Sequence, residues 1–362
     1  MKTYNNLYDK IHSFENLIEA YNKAKLGKRP KKYVREFEAN LEQEIFQLKY
    51  ELENQTYHPS PLHRFVIHDP KTRVIHAPAF RDRVVHHAIC NIIEPIFDKT
   101  FIFDSYASRK GKGTHKALIR FDEFKHKVSR NGLLSPHALE TNMIRGYVFK
   151  ADIRHYFPSV DHEVLMNLIK IKISDKKVLR LLRMFIECYS SDLDKGMPLG
   201  ALTSQLFANV YLNPLDHFVK EKLRLKYYIR YLDDFAILNE SKIRLEVIKS
   251  DVENFLSNEL KLELHPEKSK IFPLHKGITL LGFRIFYHHR LLKKSNLKQF
   301  FRRFEIMEEE LYEGLIDELD FEARVDGWLA HAKWGNTYKI QNDVKKSVSR
   351  ILDQGNQFSP NG

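Results

Sequence analysis

Tyr228-Ile229-Arg230-Tyr231-Leu232-Asp233-Asp234-Phe235-Ala236-Ile237-Leu238 sets two apolar runs on either side of a pair of carboxylates. Runs of this composition read as two strands over Tyr227 to Leu238 around a tight turn, with Asp233 and Asp234 at its tip. A third acid, Asp152, closes another apolar strand, expected over Tyr147 to Ile153 and containing Val148, Phe149 and Ala151. An isolated Asp-Asp is commonly only a turn. This one is embedded in a hydrophobic hairpin and preceded by a second acidic strand end. Carboxylate oxygens suit Mg2+, and two ions about 3.5–4 Å apart can clamp the attacking and leaving oxygens of a phosphoryl displacement.

Working outward, Asn5 to Lys25 and Lys32 to Asn54 show helical spacing of apolar residues and predict two opening helices. Arg64 to His76 alternates apolar and basic residues about Asp69-Pro70, which predicts a basic β-hairpin ended by Pro78. Helices are expected over Arg81–Phe97, Asp161–Lys170, Lys177–Cys188, Leu202–Val219 and Ile243–Leu260. Ser105 to Leu118 reads as a Gly/Lys/Arg loop entering another helix, and Asn131 to Asn142 as a surface insertion. Ile278 to Tyr287 is a strand hairpin, Leu297 to Lys346 is basic and mostly helical, and Asp353 to Gly362 is a frayed tail.

The 362 residues suffice for two or three packed units. A hydrophobic content of 43% with only 14 Gly and 13 Pro excludes disordered and collagen-like classes. Fifty-nine Lys and Arg against 47 Asp and Glu give a net charge of +12, which suits a polyanionic partner. Cys90 and Cys188 cannot build a disulfide framework or a zinc site, and the 18 His show no metal-ligand spacing. Met1 to Tyr21 lacks an apolar segment, and no run of about 18 apolar residues follows, so a cytoplasmic chain without a membrane partner is expected.

Tyr231-Leu232-Asp233-Asp234 resembles the Tyr-x-Asp-Asp signature of reverse transcriptases, and Asp152-Ile153 to Phe157, followed by Val160-Asp161-His162, is similar to their first catalytic palm motif. Further resemblances run in family order through Arg73 to Pro78, Asp82-Arg83-Val84-Val85, Glu94-Pro95-Ile96-Phe97, Ser105-Tyr106 with Arg109, Glu267-Lys268-Ser269 and Leu281-Gly282-Phe283. They span roughly Arg64 to Phe283. Leu199-Gly200-Ala201-Leu202-Thr203-Ser204-Gln205 resembles the enzymes of diversity-generating retroelements, with an aliphatic residue before the Gly and Gln after the Ser. Most group II intron and retron enzymes carry Gln-Gly-x-x-x-Ser-Pro there. Gly327-Trp328-Leu329-Ala330-His331-Ala332 and Thr337-Tyr338 are similar to the family's thumb. Nothing resembles a maturase or endonuclease extension.

The resemblance implies an α+β, right-hand polymerase fold: an N-terminal helical extension (1–60), fingers (61–145), a palm whose antiparallel sheet packs on helices (146–287), a short helical thumb (288–352) and a disordered tail (353–362). It implies an RNA-directed DNA polymerase, a nucleotidyltransferase that copies a template-repeat RNA into cDNA with errors at adenines, for mutagenic retrohoming. Catalysis would fall to Asp152, Asp233 and Asp234, with these three and Ile153 holding two Mg2+ ions, replaceable by Mn2+. One ion would activate a primer 3′-hydroxyl and the other hold the triphosphate. Lys71 and Arg73 would neutralise the incoming triphosphate, and Lys268 would protonate or stabilise the leaving pyrophosphate. Tyr156 or Phe157, with Tyr156 preferred, would place a ring under the sugar and exclude a 2′-hydroxyl. Leu199 and Gln205 would border the nucleotide. Arg109, Lys110 and Lys112 would follow template phosphates, and Leu281, Gly282 and Phe283 would touch the primer. The implied partners are template RNA, the RNA/DNA hybrid, dNTPs and an oligomeric accessory variability protein. Two alternatives remain open: a retron-like or phage-defence reverse transcriptase without a mutagenic role, and an inactive nucleic-acid-binding scaffold.

Overall fold

The computed structural model describes residues 2–68, 72–134, 143–188 and 194–357. In chain order these form α1 (Tyr8–Ile11), α2 (Phe14–Ala24), α3 (Lys32–Ala39), α4 (Leu41–Glu53), β1 (His63–Ile67), β2 (Arg73–Ala77), α5 (Phe80–Asp98), α6 (Thr114–Val128), β3 (Tyr147–Asp152), α7 (Tyr156–Ser159), α8 (His162–Lys170), α9 (Lys176–Glu187) and α10 (Leu202–His217). Then follow β4 (Tyr228–Tyr231), β5 (Asp234–Asn239), α11 (Lys242–Leu260), β6 (Lys270–Pro273), β7 (Ile278–Leu280), β8 (Phe283–Ile285), β9 (Arg290–Leu292), α12 (Lys294–Tyr312), α13 (Glu318–Ala332) and α14 (Tyr338–Gln357). The fold is α+β, as the sequence predicts. No helix among the described residues is long and apolar enough to cross a membrane.

The chain forms two compact units: Met1–Ala117 with Phe149–Ile237 and Ile243–Lys270, and Leu118–Val148 with Leu238–Lys242 and Ile271–Gly362. In the first, α10 buries residues on every side, among them Phe207, Ala208, Tyr211, Leu212 and Leu215, so it is a core helix rather than an amphipathic cover. Beside it, β4 and β5 pair antiparallel with Tyr231 opposite Asp234, leaving Leu232 and Asp233 as a two-residue loop. Leu232 has φ +58°, in the left-handed region where such turns favour glycine.

Arg230 holds that turn. Its guanidinium is fully buried and donates from Nε and Nη2 to the two oxygens of Asp216, at 2.7 and 2.6 Å. From Nη1 it donates to Asn209 Oδ1 and to the Leu232 carbonyl, each at 3.1 Å. Tyr228 Oη adds a 2.7 Å bond to Asp216. The main chain of Arg230 is pinned as well, its N–H donating to the Asp104 carbonyl and its own carbonyl accepting from Tyr106 N, both at 3.0 Å. Burial opposes the guanidinium charge, yet Asp216 holds its pKa above the usual value.

A four-stranded sheet has the order β4-β5-β3-β6. The second unit contains a meander, β7-β8-β9, whose first turn is Leu281-Gly282 with φ of +50° and +87°. Its helices α12, α13 and α14 enclose Phe300, Phe304, Phe321, Val325, Leu329, Val344 and Ile351, with Phe300 stacked on Trp328 at 3.5 Å.

Three expectations change. The two opening helical stretches are four helices, because the backbone breaks between α1 and α2 at Ser13, which caps α2, and at Asn40 between α3 and α4. Helix α14 runs to Gln357, into the stretch expected to fray. Strands β6 and β9 were not anticipated; at four and three residues they are too short to show alternation. The basic hairpin is present with Ile67 opposite Arg73, although its Asp69-Pro70 turn and Lys71 lie outside the described residues, as does most of the Asn131 to Asn142 stretch.

Breaking one side of a buried ion pair strands the other charge, so Arg230→Met is expected to cost about 3–5 kcal/mol. Adding Asp216→Leu should restore a large share of that loss. Urea unfolding of the single and double variants measures both, and a single variant within about 1 kcal/mol of the parent would contradict the pinning role.

Candidate catalytic site

Asp152 ends β3, Asp233 occupies the β4–β5 turn and Asp234 begins β5. Since β3 and β5 are hydrogen-bonded neighbours, the three carboxylates gather at one end of the sheet. Their mutual influence is visible in their acidity. Burial, and then the Asp234 and Asp152 charges, push Asp233 up to about 6. Asp234 is likewise raised by burial, with Lys150 opposing and Asp152 reinforcing.

Two ammonium groups partly compensate these charges. Lys268 Nζ bonds Asp152 Oδ2, and Lys150 Nζ lies 3.5 Å from Asp234 Oδ1. Lys150 shares a face of β3 with Asp152, two residues on. Three carboxylates face two lysines, leaving one negative charge over. Among the described residues no three His, Cys, Asp or Glu side chains are drawn closely enough to form a metal cluster. The donor set nevertheless fits a hard divalent cation: the donors are carboxylate oxygens, the acidity of Asp233 and Asp234 is suppressed by burial and by like charge, and displaceable ammonium groups lie on two of the three acids.

The main chain of Asp152 is fastened by a distant segment. Its N–H donates to Ser269 Oγ at 3.2 Å, and its carbonyl accepts from His265 N at 2.7 Å and from Ser269 Oγ at 3.2 Å. Ile153 bridges to Leu264, and Arg154 N donates to the Glu263 carbonyl at 2.9 Å. The side chain of Ile153 is buried, so only its main chain can contribute to a metal site.

The other anticipated residues divide. Tyr156, the preferred ring for the sugar, is a correction: it is 3% exposed, and its hydroxyl donates to the Ala208 carbonyl at 2.6 Å in the core. Phe157, half-buried and edge-on to it at 5.5 Å, is the more exposed of the two rings. Arg109 is also a correction. It donates from Nε to Asp98 at 2.6 Å and from Nη1 to the carbonyls of Ile102 and Ser105 at 2.7 and 3.0 Å, so its guanidinium ties its own loop rather than a phosphate. Lys112 donates to the Phe103 carbonyl at 2.7 Å and lies over the Phe103 ring, while Lys110 remains exposed. Arg73 is exposed at the hairpin end of β2.

Leu199 accepts at its carbonyl from His76 N at 2.9 Å, joining its turn to β2. The next residue has to be glycine there: φ is +124°, and a Cβ would lie 3.2 Å from the His76 carbonyl oxygen. Gln205 is exposed on the first turn of α10 and accepts from Ser108 Oγ at 3.3 Å. Leu281 and Gly282 form the β7–β8 turn in the second unit, but Phe283 is fully buried against His331, a correction to its expected contact with a primer. Sequence reasoning missed Lys150, the Arg230–Asp216 pair and the fastening role of Ser269. Of these only Lys150 left a signal, two residues from Asp152 on a strand.

A family model described as reverse transcriptase (RNA-dependent DNA polymerase) matches residues 67–285. Protein YkfC of Escherichia coli (strain K12) is 28% identical over 300 residues, covering 72% of this chain and 74% of that protein. The group II intron-encoded protein LtrA of Lactococcus lactis subsp. cremoris is 26% identical over 315 residues, 67% of this chain but only 50% of LtrA. The retron Ec73 reverse transcriptase of Escherichia coli is 26% identical over 237 residues, 60% of this chain and 70% of that enzyme.

Because Asp233 is a weaker acid in the folded chain than its ordinary value of 3.8, its contribution to stability is fully present below that value and is lost as pH rises through about 6. Asp233→Asn should therefore stabilise the metal-free protein at pH 7, by up to about 3 kcal/mol, with most of the gain gone at pH 4. Denaturant unfolding at the two pH values measures this. Added Mg2+ should narrow the difference, and a variant less stable than the parent at pH 7 would refute the repulsion.

Proposed function

Because the chain belongs to the reverse transcriptase family, we propose that it serves a diversity-generating retroelement, copying a template-repeat RNA into cDNA with errors concentrated at adenines. The RNA-directed DNA polymerase activity and right-hand polymerase fold follow from the family itself. The mutagenic specialisation is carried by one observation, Leu199 and Gln205 about the Gly200 turn, where Gln and Pro would mark the intron and retron pattern. Residues 61–145, 146–287 and 288–352 would serve as fingers, palm and thumb, following a helical extension over 1–60. An RNA/DNA hybrid, dNTPs and an oligomeric accessory variability protein are the partners of this reading, in the cytoplasm.

In the mechanism we propose, Asp152, Asp233 and Asp234 hold two divalent ions, Mg2+ or Mn2+, which when bound supply Lewis acidity to the attacking and leaving oxygens. Lys268, released from Asp152, neutralises the pyrophosphate or gives it a proton. Arg73 balances triphosphate charge, with Lys71 beside it in sequence. Phe157, rather than the buried Tyr156, lies under the sugar. Phe157→Ala should accordingly raise ribonucleotide incorporation about tenfold or more relative to deoxynucleotide, whereas Tyr156→Phe should lower stability without changing sugar choice. Single-nucleotide extension with dNTP and rNTP distinguishes them, and unchanged discrimination in Phe157→Ala would remove the ring from this role.

Leu199 can offer the incoming nucleotide only apolar contact. A Gln there could add a hydrogen bond, worth about 0.5–1.5 kcal/mol or roughly two- to tenfold in relative insertion. Leu199→Gln is thus expected to reduce misincorporation opposite template adenine modestly, leaving Gln205 and the surrounding pocket to account for the rest. Product sequencing on one RNA template measures the spectrum. A uniform loss of activity with an unchanged spectrum would leave Leu199 a packing role beside His76. A second reading, copying without a mutagenic role, draws on the intron-encoded and retron relatives and predicts no adenine bias in the parent enzyme.

A further inference from the structure

The second unit contains a cavity of about 340 Å3 that no step of the polymerase reaction uses. Its lining includes Lys125, His126, His288, Arg290 and Lys333, with Asp122 the one carboxylate among the lining residues. The floor is out of charge balance. Lys125, 3% exposed, donates from Nζ to Asp122 Oδ1 and to the Phe286 carbonyl, each at 2.8 Å. Arg290 grips the other oxygen of the same carboxylate through Nε, at 3.0 Å, and through Nη2. One negative charge thus serves two positive groups, the buried Lys125 and the partly exposed Arg290, and a positive charge remains over at the floor of the cavity.

A buried charge without a counter-charge is costly, and here the surplus opens into a cavity rather than into packed side chains. The rim adds the ammonium of the exposed Lys333 and, as further hydrogen-bonding groups, the imidazoles of His288 and His126, the latter fixed by a 2.8 Å bond between Nδ1 and Tyr287 Oη. Donors converging from a helix, a hairpin and the turn after α13 match a ligand with several acceptor oxygens, as a phosphate has, better than a single-point anion. The volume admits a phosphate with its water or with an attached sugar, and the mainly polar walls do not suit a stacked base or an acyl chain.

We propose that this cavity is a binding site for a phosphate group, either free phosphate or the terminal phosphate of a nucleic-acid strand. The site is made of residues other than the acidic triad and stands whether or not the retroelement reading holds.

Titration calorimetry of the full chain with inorganic phosphate should show saturable binding. The exposed-residue variant Lys333→Gln/His288→Gln should weaken it about tenfold or more while retaining the parent's thermal midpoint and primer extension. Oligonucleotides with a 5′-phosphate or a 5′-hydroxyl identify the source. Tighter binding of the phosphorylated strand, lost in the double variant, assigns a strand terminus; equal binding of the two strands alongside variant-sensitive phosphate binding assigns free phosphate. No saturable phosphate binding, or binding indifferent to the double variant, overturns the proposal.

Discussion

The bidentate pair between Arg230 and Asp216, sealed from water, is the interaction on which the first unit turns. Such a pair gains little net stability over an apolar replacement, since desolvating two charges consumes most of their attraction. What it contributes is position. Arg230 reaches the Leu232 carbonyl, Asn209 on α10 and, through its own main chain, the Asp104–Tyr106 segment. A leucine in the left-handed region is tolerated because its carbonyl has a fixed donor waiting, and Asp233 follows it directly. The strain of the turn and the placement of the acid are thus one arrangement.

Charge is deliberately unmatched at the acidic site. Three carboxylates share two ammonium groups, and burial together with the residual repulsion makes Asp233 and Asp234 weaker acids than usual. A site in this condition favours a multivalent cation over protons or monovalent ions, because one hard ion relieves several repulsions together. Lys150 and Lys268 differ from a permanent counter-ion in being flexible: their stems allow the ammonium to move aside without disturbing a strand. Strand-borne acids with side-chain-borne cations give rigidity to one partner and mobility to the other.

Much of this was legible from residue order. The largely apolar runs around Asp233-Asp234, and the one ending at Asp152, located both strand ends because strands buried on both faces keep a near-continuous apolar run. What was not legible depended on the direction of single side chains. Tyr156 and Phe157 are adjacent aromatics of similar size, and only the short helical turn Tyr156–Ser159 decides which ring enters the core. Arg109 looked like a phosphate ligand because nothing in the sequence reveals that the carbonyls of Ile102 and Ser105 curl back within its reach. Arg230 and Asp216 are 14 residues apart on different elements, and each reads by itself as an ordinary surface charge.

The fastening of Asp152 by Ser269 and His265 also sets a schedule. The bonded residues are up to 117 positions apart, so β3 leaves the ribosome well before the segment that satisfies its last N–H and carbonyl. At about 5–20 residues per second that interval is roughly 6–23 s. Only late in that interval, once Asp234 has been added, does the nascent chain carry all three aspartates, and it still lacks the support that holds Asp152. The anchoring of Asp152 therefore arrives late in translation, as a long-range closure rather than a local folding event.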